Sequence, residues 1–325
     1  MTPTAPTYIP VPALDAVEQV PLPAYGAQPK STHLLDRACA QAINAALATE
    51  RPLLLRGEPG TGKSQLARAA AVLLSRSFLL HAVDARTETR DLLYTVDAVS
   101  RLAKAQLLGA MGKQGQEALE AIDLKHFVRP GPLWWAYEPA SARKCHPNND
   151  LIEEADDTAG VVLLIDEIDK ADPSVPNGLL DAFGNGCFHV EGSGTIKAGS
   201  PRPLVILTTN EERVLPDAFV RRCLVHHIDL PELPKQQAQF VALLAARGRA
   251  NVEDCDDAVL AKAAQMIVRA RMDPKRQGHC PPGVAEYIDL VRAVTRIKNT
   301  PEERLALLDE IEGLATRKHS TERFG

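Results

Sequence analysis

The sequence has no excess of positive charge, no closely paired cysteines and no long apolar run. Its 325 residues carry a net charge of −5 with a pI near 6.0, which argues against a general nucleic-acid coat but leaves room for a local basic groove. The six cysteines form no C-x-x-C pair, so free thiols are favoured over a zinc site or disulfides. No apolar stretch could span a bilayer, and the first residues lack the pattern of a signal peptide. We therefore expect a cytoplasmic protein without a membrane partner.

What the sequence does contain is a complete phosphate-binding pattern. The stretch Gly57–Ser64 fits G-x-x-x-x-G-K-[ST] at every constrained position. Its glycines leave room for the backbone to wrap phosphate groups, Lys63 supplies positive charge to the β- and γ-phosphates, and the hydroxyl of Ser64 can ligate Mg²⁺. An apolar strand pattern precedes the loop and a helical pattern follows it, which aims a helix N-terminus at an anion. A chance match by a glycine-rich turn is the alternative, and this context argues against it.

A second stretch supplies the carboxylates that hydrolysis requires. The apolar run Val161–Ile165 predicts a buried strand, and Asp166 and Glu167 follow it directly. Asp166 would hold Mg²⁺ through its water shell, and Glu167 would orient or deprotonate the attacking water. The alternative is a strand that ends in acidic residues at a solvated edge. The neighbouring Asp169 and Lys170 are interpreted as a surface ion pair.

A third apolar run, Leu204–Leu207, ends in the polar residues Thr208, Thr209 and Asn210. Ligands gather at the carboxyl ends of strands in a parallel sheet. Asn210 would therefore lie close enough to hydrogen-bond the γ-phosphate or its water. A simple turn role for this asparagine is the alternative.

The remaining patterns predict an α/β core followed by a helical domain. Residues 1–30 are proline-rich and predict an extended arm, disordered alone or laid against a neighbour. A helix is expected at His33–Thr49, and strands alternate with helices through the core at 31–231, as in a parallel sheet flanked by helices. A hairpin is expected at about 187–203. Residues 232–325 contain four helical patterns and no strand, which predicts a small all-α domain.

These motifs, in this order and ahead of a helical domain, resemble those of the AAA+ ATPases. The resemblance rests on Gly57–Ser64, Leu163–Glu167, Thr208–Asn210 and Leu215–Arg222. Two further stretches resemble the MoxR branch of that superfamily, namely the proline–glycine–proline segment Val128–Leu133 and the helix and hairpin pattern at 179–192. The likeness covers roughly residues 33–292 and implies a P-loop NTPase core with a small all-α lid domain.

The resemblance implies ATP and Mg²⁺ as ligands and assigns roles to individual residues. The expected nucleotide-binding residues are Gly57, Glu58, Pro59, Gly60, Thr61, Gly62, Lys63, Ser64 and Gln65, and the expected Mg²⁺ ligands are Ser64 and Asp166. Catalysis would use Glu167, Asn210 as the sensor residue, and Arg222 as an arginine finger, with Arg221 as its rival or helper. A finger that reaches a neighbouring subunit requires a ring or arc, so a homo-oligomer, expected to be hexameric, is implied. Surface salt bridges are the alternative role for this arginine pair.

The sequence departs from the AAA+ pattern in two places. AAA+ lids place an arginine at the start of the third lid helix, whereas this chain has Pro281–Glu286 there, with Lys275 and Arg276 upstream as candidates to replace it. The insertion at about 86–127 is longer and more helical than the hairpin usual in the MoxR branch. The pair Trp134–Trp135 follows it, and either faces a partner or pore or clamps the insertion to the core.

The favoured function is a MoxR-like, chaperone-like ATPase that remodels or assembles a client protein. The resemblance implies a protein with a von Willebrand factor A domain as one such partner. The first alternative is a nucleic-acid-associated motor or loader, which is not favoured because the basic residues of the insertion are interleaved with acids. The second is a nucleotide-gated oligomeric switch or scaffold in a defence-type system. Turnover measured with DNA, RNA or a candidate partner separates the three.

Overall fold

The structure, a computed structural model, describes residues 18–113, 115–145, 159–273 and 281–316. These residues form two compact units. The first unit holds the described residues of Ala38–Arg56 and Ala70–His226, and the second holds those of Pro12–Arg37, Gly57–Ala69 and His227–Gly325. No helix within these described ranges is both long enough and apolar enough to cross a bilayer.

The described strands form one five-stranded sheet and three two-stranded pairs. The strands are β1 (Glu18–Leu22), β2 (Ser31–Leu35), β3 (Leu53–Arg56), β4 (Ser77–Ala82), β5 (Tyr94–Val96), β6 (Val128–Pro130), β7 (Val161–Asp166), β8 (Cys187–Val190), β9 (Gly194–Lys197), β10 (Leu204–Thr209) and β11 (Leu224–His227). The five-stranded sheet has the order β11-β3-β10-β7-β4, and β10 pairs in parallel with both β3 and β7, as β4 does with β7. This sheet confirms the predicted α/β core, and β8 and β9 form the predicted hairpin.

Helices flank this sheet and make up the C-terminal region. They are α1 (Arg37–Thr49), α2 (Lys63–Leu73), α3 (Thr89–Leu93), α4 (Ala98–Ala110), α5 (Gln116–Ala121), α6 (Pro132–Tyr137), α7 (Pro139–Cys145), α8 (Ser174–Gly178), α9 (Leu180–Asn185), α10 (Asp217–Val220), α11 (Gln237–Asn251), α12 (Asp257–Met272), α13 (Val284–Ile297) and α14 (Pro301–Thr316). The last four pack around one apolar core that includes Phe240, Leu244, Tyr287 and Val291. The predicted helical C-terminal region is therefore confirmed.

The central strands are apolar on both faces. Every residue of β10 is buried, as is every residue of β7 before Asp166. Continuous runs of Val, Leu and Ile suit strands that are covered on both sides. The polar residues at the carboxyl ends of these strands, Asp166 and Asn210, are only partly buried. The sheet thus buries its apolar length and leaves one polar edge accessible.

Two predictions near the N-terminus differ from the structure. The predicted arm contains β1, and the helix expected from His33 begins only at Arg37, because Ser31–Leu35 forms β2 instead. The two strands pair antiparallel, with Val20 opposite His33. Every second residue is buried, as in strands, and these residues are Val20, Leu22, His33 and Leu35. Residues 1–17 lie outside the described residues.

The predicted insertion is largely helical, but it also contains β5, which pairs antiparallel with β6. Its longest helix, α4, has no buried residue, and its apolar side chains Val99, Leu102 and Leu107 are exposed. By contrast, every residue of α6 is buried, including Trp134 and Trp135 at 2% and 1% exposure. The two tryptophans are therefore core residues, and the structure favours the clamping role over a partner-facing one.

Candidate functional site

Three predicted site residues meet at the carboxyl ends of β7 and β10. The hydroxyl of Thr208 donates to Oδ1 of Asp166 over 2.5 Å and accepts from the backbone N–H of Glu167 over 2.8 Å. Nδ2 of Asn210 donates to Oε1 of Glu167 over 2.9 Å. These contacts follow from the parallel pairing of the two strands, which brings their ends to one edge of the sheet. The predicted proximity of the carboxylates and the asparagine is thus present within the first unit.

Lys170 completes this cluster in a way that the sequence analysis did not predict. Its Nζ pairs with Oε2 of Glu167 at 2.5 Å, and this hydrogen bond is the main cause of the raised pKa of the lysine. Asp169, its expected ion-pair partner, is instead 2% exposed and accepts the backbone N–H of Glu212 over 3.0 Å. The interpretation of these two residues as a surface ion pair is therefore wrong. Glu167 is held from both sides by an amide and an ammonium group, which fixes the direction of its carboxylate.

The backbone of Glu167 is itself unusual. This residue has φ 59° and ψ 49°, which is the left-handed region that non-glycine residues rarely occupy. A left-handed L-residue costs about 1–2 kcal/mol. Such outliers cluster where side chains must be aimed for function. The sequence gives no sign of this turn, because a glutamate carries no preference for the left-handed region.

The phosphate loop lies in the second unit and depends on its glycines. Gly57, Gly60 and Gly62 all have positive φ, at 146°, 75° and 103°. A Cβ at Gly57 would lie 2.4 Å from the backbone oxygen of Ile228, so no other residue fits there without a shift. The buried ammonium of Lys63 donates to the backbone oxygens of Gly57 and Glu58 over 2.7 and 2.9 Å.

Helix α2 continues from this loop. It begins at Lys63, has no acidic residue in its first turn, and carries the partly buried Ser64 and Gln65. No acidic side chain of the first turn therefore neutralises the positive end of the helix dipole or its N-terminal N–H groups. Thr61 is 2% exposed, and its hydroxyl donates to the backbone oxygen of Glu58 over 3.0 Å. The backbone N–H groups of a glycine loop that leads into a helix N-terminus are suited to an anion.

Two arginines of the helical region also reach the phosphate loop. Nη2 of Arg271 pairs with Oε2 of Glu58 at 2.7 Å, while its Nη1 donates to the backbone oxygen of Pro282 over 3.0 Å. The guanidinium of Arg247 lies so close to Gly62 that a Cβ there would be 2.9 Å from Nη1. Neither arginine could be predicted from the sequence, because their contacts depend on how α11 and α12 pack. The predicted candidates, Lys275 and Arg276, lie outside the described residues.

Arg247 also influences His33, a buried residue of β2. Burial, together with the nearby positive charge of Arg247, lowers the pKa of His33 to about 3. Asp36 opposes this shift. The imidazole is therefore neutral at physiological pH. This histidine was not predicted as a site residue, and no motif marks it.

The predicted arginine pair follows α10 in the first unit. Arg221 and Arg222 are both exposed. Nη1 of Arg222 donates to the backbone oxygen of Ala218 over 3.2 Å, and a Cβ at Gly184 would lie 3.3 Å from its Nε. Within the part of the chain that the structure describes, neither guanidinium hydrogen-bonds to the cluster around Glu167. The pair therefore lies at the surface of its own chain.

Each unit by itself carries groups that suit part of a nucleotide with a magnesium ion. In the second unit a Cβ at Gly57 or Gly62 would meet protein atoms, so the loop keeps its glycine backbone, and the buried Lys63 ammonium lies against the loop carbonyls. Ser64 of that unit has a hydroxyl, and Asp166 and Thr208 of the first unit have carboxylate and hydroxyl oxygens, the kind of ligand that Mg²⁺ prefers. A phosphate loop, an acidic strand and an asparagine strand in this topology define the class of P-loop nucleoside triphosphatases.

The sequence places the chain within that class. Residues 52–223 match the family described as AAA domain (dynein-related subfamily). Because the match spans more than half of the 325 residues, the chain belongs to this family. Membership confirms the predicted AAA+ fold and superfamily, and it implies nucleotide binding and the ATPase class.

Two solved structures align with most of the chain. A proposed ATPase from Cytophaga hutchinsonii ATCC 33406 is 15% identical, with 85% of this chain and 78% of that protein covered and a TM-score of 0.36. NtrX from Brucella abortus, solved in complex with ADP, is 16% identical, with 87% of this chain and 55% of that protein covered and a TM-score of 0.44. A search of curated proteins finds no match.

Proposed function

We propose that this chain binds Mg·ATP and hydrolyses it. The observation that carries the proposal is the cluster in which Thr208 and Asn210 hold the carboxylates of Asp166 and Glu167 at one sheet edge. Lys63 would stabilise the β- and γ-phosphates, and the loop from Gly57 to Gln65 would surround them. Magnesium bound by Ser64 and Asp166 would neutralise phosphate charge.

Glu167 and Asn210 then act on the water that attacks the γ-phosphate. Glu167 orients or deprotonates this water, because its carboxylate is already aimed by two donors. We expect Asn210 to sense the γ-phosphate as well, and its hydrogen bond to Glu167 would then link the two events. When nucleotide binds, we expect the attacking water to replace Lys170 as a partner of the Glu167 carboxylate.

The experiment that tests binding replaces Lys63 by Ala. Hydrogen bonds to charged groups contribute about 1.5–3 kcal/mol each, so this variant should bind Mg·ATP about 10- to 100-fold more weakly in calorimetry. Lys197→Ala, at an exposed position of β9, is the matched control and should bind as the parent does. Parental affinity in a folded Lys63→Ala chain would refute the phosphate-loop assignment.

We also propose that hydrolysis requires a neighbouring subunit. Arg222, with Arg221 as its rival or helper, would stabilise charge on the phosphoryl group transferred in the adjacent subunit, in a homo-oligomer expected to be hexameric. Their exposure supports this arrangement, as does the fact that neither guanidinium hydrogen-bonds to the cluster around Glu167 among the described residues. The core at 31–231 and the helical lid at 232–325 would be the domains of each subunit, preceded by the segment 1–30.

The biological role that we propose is MoxR-like remodelling of a client protein. This client would contain a von Willebrand factor A domain or act beside a protein that contains one. Support comes from the β8–β9 hairpin, whose first strand lies within the MoxR-like stretch 179–192, and from the proline at the first position of α6, within the MoxR-like segment Val128–Leu133. Stimulation of turnover by such a partner, with no response to DNA or RNA, is the expected result. Stimulation by nucleic acid would favour a motor, and slow turnover unaffected by any ligand would favour a switch.

A further inference from the structure

Arg51, two residues before the start of β3, holds the backbone that carries the exposed arginine pair. Its Nη2 donates to the backbone oxygens of Arg221 and Cys223, the latter over 3.1 Å, and its Nε donates to the backbone oxygen of Arg222 over 3.1 Å. One guanidinium thus binds three successive carbonyl groups. Neither the sequence patterns nor the family match assigns a role to this residue.

The three carbonyl groups lie at and just beyond the end of a short helix. Helix α10 spans only Asp217–Val220 and has Arg221 as its C-cap, so the carbonyl of Arg221 closes the helix and those of Arg222 and Cys223 follow it, where no further helical turn supplies donors. A cation at that end also complements the negative end of the helix dipole. The planar fork of an arginine can satisfy several acceptors at once, which a lysine ammonium does with less fixed geometry.

Buried residues and a backbone hydrogen bond hold the two ends of this turn. Phe219 and Cys223 are 0% and 4% exposed, and the backbone N–H of Leu224 donates to the backbone oxygen of Pro52 over 2.8 Å. The buried residues fix where the turn begins and ends. Arg51 fixes the peptide groups between them, from which both exposed side chains project.

We propose that Arg51 is a positioning residue for Arg221 and Arg222, and that its effect on hydrolysis is therefore exerted on the neighbouring subunit's nucleotide. The proposal rests on the proposed action of the arginine pair in trans. If Arg51 served only to hold β3 and β11 together, its loss would instead affect the chain's own site, because β3 leads directly into the phosphate loop at Gly57. The two readings differ in which subunit loses activity.

The first measurement compares single variants of the full-length chain. Arg51→Met and the milder Arg51→Lys should bind Mg·ATP as the parent does, while turnover of Arg51→Met falls by about 10- to 100-fold, the loss typical of a misplaced group. Arg202→Met is the matched control, because Arg202 is an arginine of the same unit whose side chain pairs with Glu50 at 3.0 Å, and its loss should leave turnover near the parental rate. Circular dichroism establishes that each variant is folded.

The second measurement mixes inactive chains. Arg51→Met mixed with Lys63→Ala should regain activity, because some interfaces then join an intact phosphate loop to an intact arginine turn. Arg51→Met mixed with an Arg221→Ala/Arg222→Ala chain should stay inactive, since both partners lack the same function. Co-assembly is verified by differently tagged chains that purify together.

A third mixture separates the failure of this inference from failure of the proposed function. The Arg221→Ala/Arg222→Ala chain mixed with Lys63→Ala should also regain activity. If it does and the Arg51→Met mixture does not, the positioning role is overturned and the trans-acting pair stands. If neither co-assembled mixture regains activity, the action in trans fails and the role of Arg51 fails with it. Parental turnover of both Arg51 variants would overturn the inference on its own.

Discussion

The side-chain amide of Asn210 donates to the carboxylate of Glu167 over 2.9 Å, joining the ends of β10 and β7. A residue that would sense the γ-phosphate is therefore in direct contact with the residue that would activate water. Lys170 binds the other carboxylate oxygen at 2.5 Å. Any group that draws Asn210 away changes the surroundings of Glu167 at the same time. In the mechanism that we propose, this single hydrogen bond would couple nucleotide occupancy to water activation.

Replacing Glu167 by Gln should abolish most hydrolysis while retaining nucleotide. The amide keeps the size of the side chain but cannot accept a proton, and general bases typically contribute 10²–10⁴-fold, so we expect a loss of about that size. Phosphate release and ATP affinity are measured on the same preparation. Glu212→Gln, at an exposed position near the cluster, serves as the control and should hydrolyse ATP at the parental rate. Near-parental turnover of Glu167→Gln would show that another group activates the water.

Thr208 is expected to matter for stability as well as for turnover. Its hydroxyl accepts the backbone N–H of Glu167 and donates to Asp166, and the residue is 0% exposed. Thr208→Val keeps the shape but leaves that N–H without its acceptor, which costs about 1–3 kcal/mol of unfolding free energy. Urea unfolding followed by tryptophan fluorescence measures the change, since both tryptophans lie in the first unit.

The control for this prediction is Thr208→Ser, which retains the hydroxyl. It should keep most of the turnover, whereas Thr208→Val should lose turnover because Asp166 and Glu167 are no longer bridged. Equal stability of the Val and Ser variants would contradict the structural role assigned to the hydroxyl.

The central strands and the carboxylate cluster were predictable because they depend on local sequence. Continuous apolar runs mark strands buried on both faces, and the polar residues that follow them must meet at one sheet edge. Strand β2 was missed because only His33 and Leu35 point inward, and the helical pattern of α1 begins directly after them. The pairing of Arg271 with Glu58 could not be predicted at all. It joins residues 213 positions apart through the packing of helices.

The ion pair between Glu58 and Arg271 should connect the phosphate loop to the helical region. The arginine side chain is 12% exposed and stacks on Phe240 at 5.4 Å, whereas the glutamate side chain is 48% exposed. A double-mutant cycle with Glu58→Gln and Arg271→Met should give a coupling of about 0.5–1 kcal/mol in unfolding free energy, as for other accessible pairs. Measured with a non-hydrolysable ATP analogue, the coupling should increase if nucleotide draws the helices onto the loop.

The pair Arg249–Asp257 provides a comparison, because it lies in the same helical region, away from the loop, and is solvent-exposed. Its coupling should be small and should not respond to the analogue. A Glu58–Arg271 coupling that is equally insensitive to nucleotide would show that the loop and the helices are connected by other residues.

His33 should make the stability of the second unit depend on pH. Its folded-state pKa is about 3, against a usual value of 6.5, because it is buried and lies near Arg247. The unfolded chain therefore takes up a proton that the folded chain excludes as the pH falls below about 6.5. The stabilising contribution is complete above that pH and is lost as the pH falls toward 3, by up to about 1.4 kcal/mol per pH unit. In His33→Phe this dependence should be absent, although other groups still titrate.

The test is urea unfolding at pH 7.0 and 5.0, followed by far-ultraviolet circular dichroism because the tryptophans report on the other unit. We expect the parent to lose about 2 kcal/mol more than the variant between the two pH values, and equal losses would show that the histidine is protonated in the folded chain.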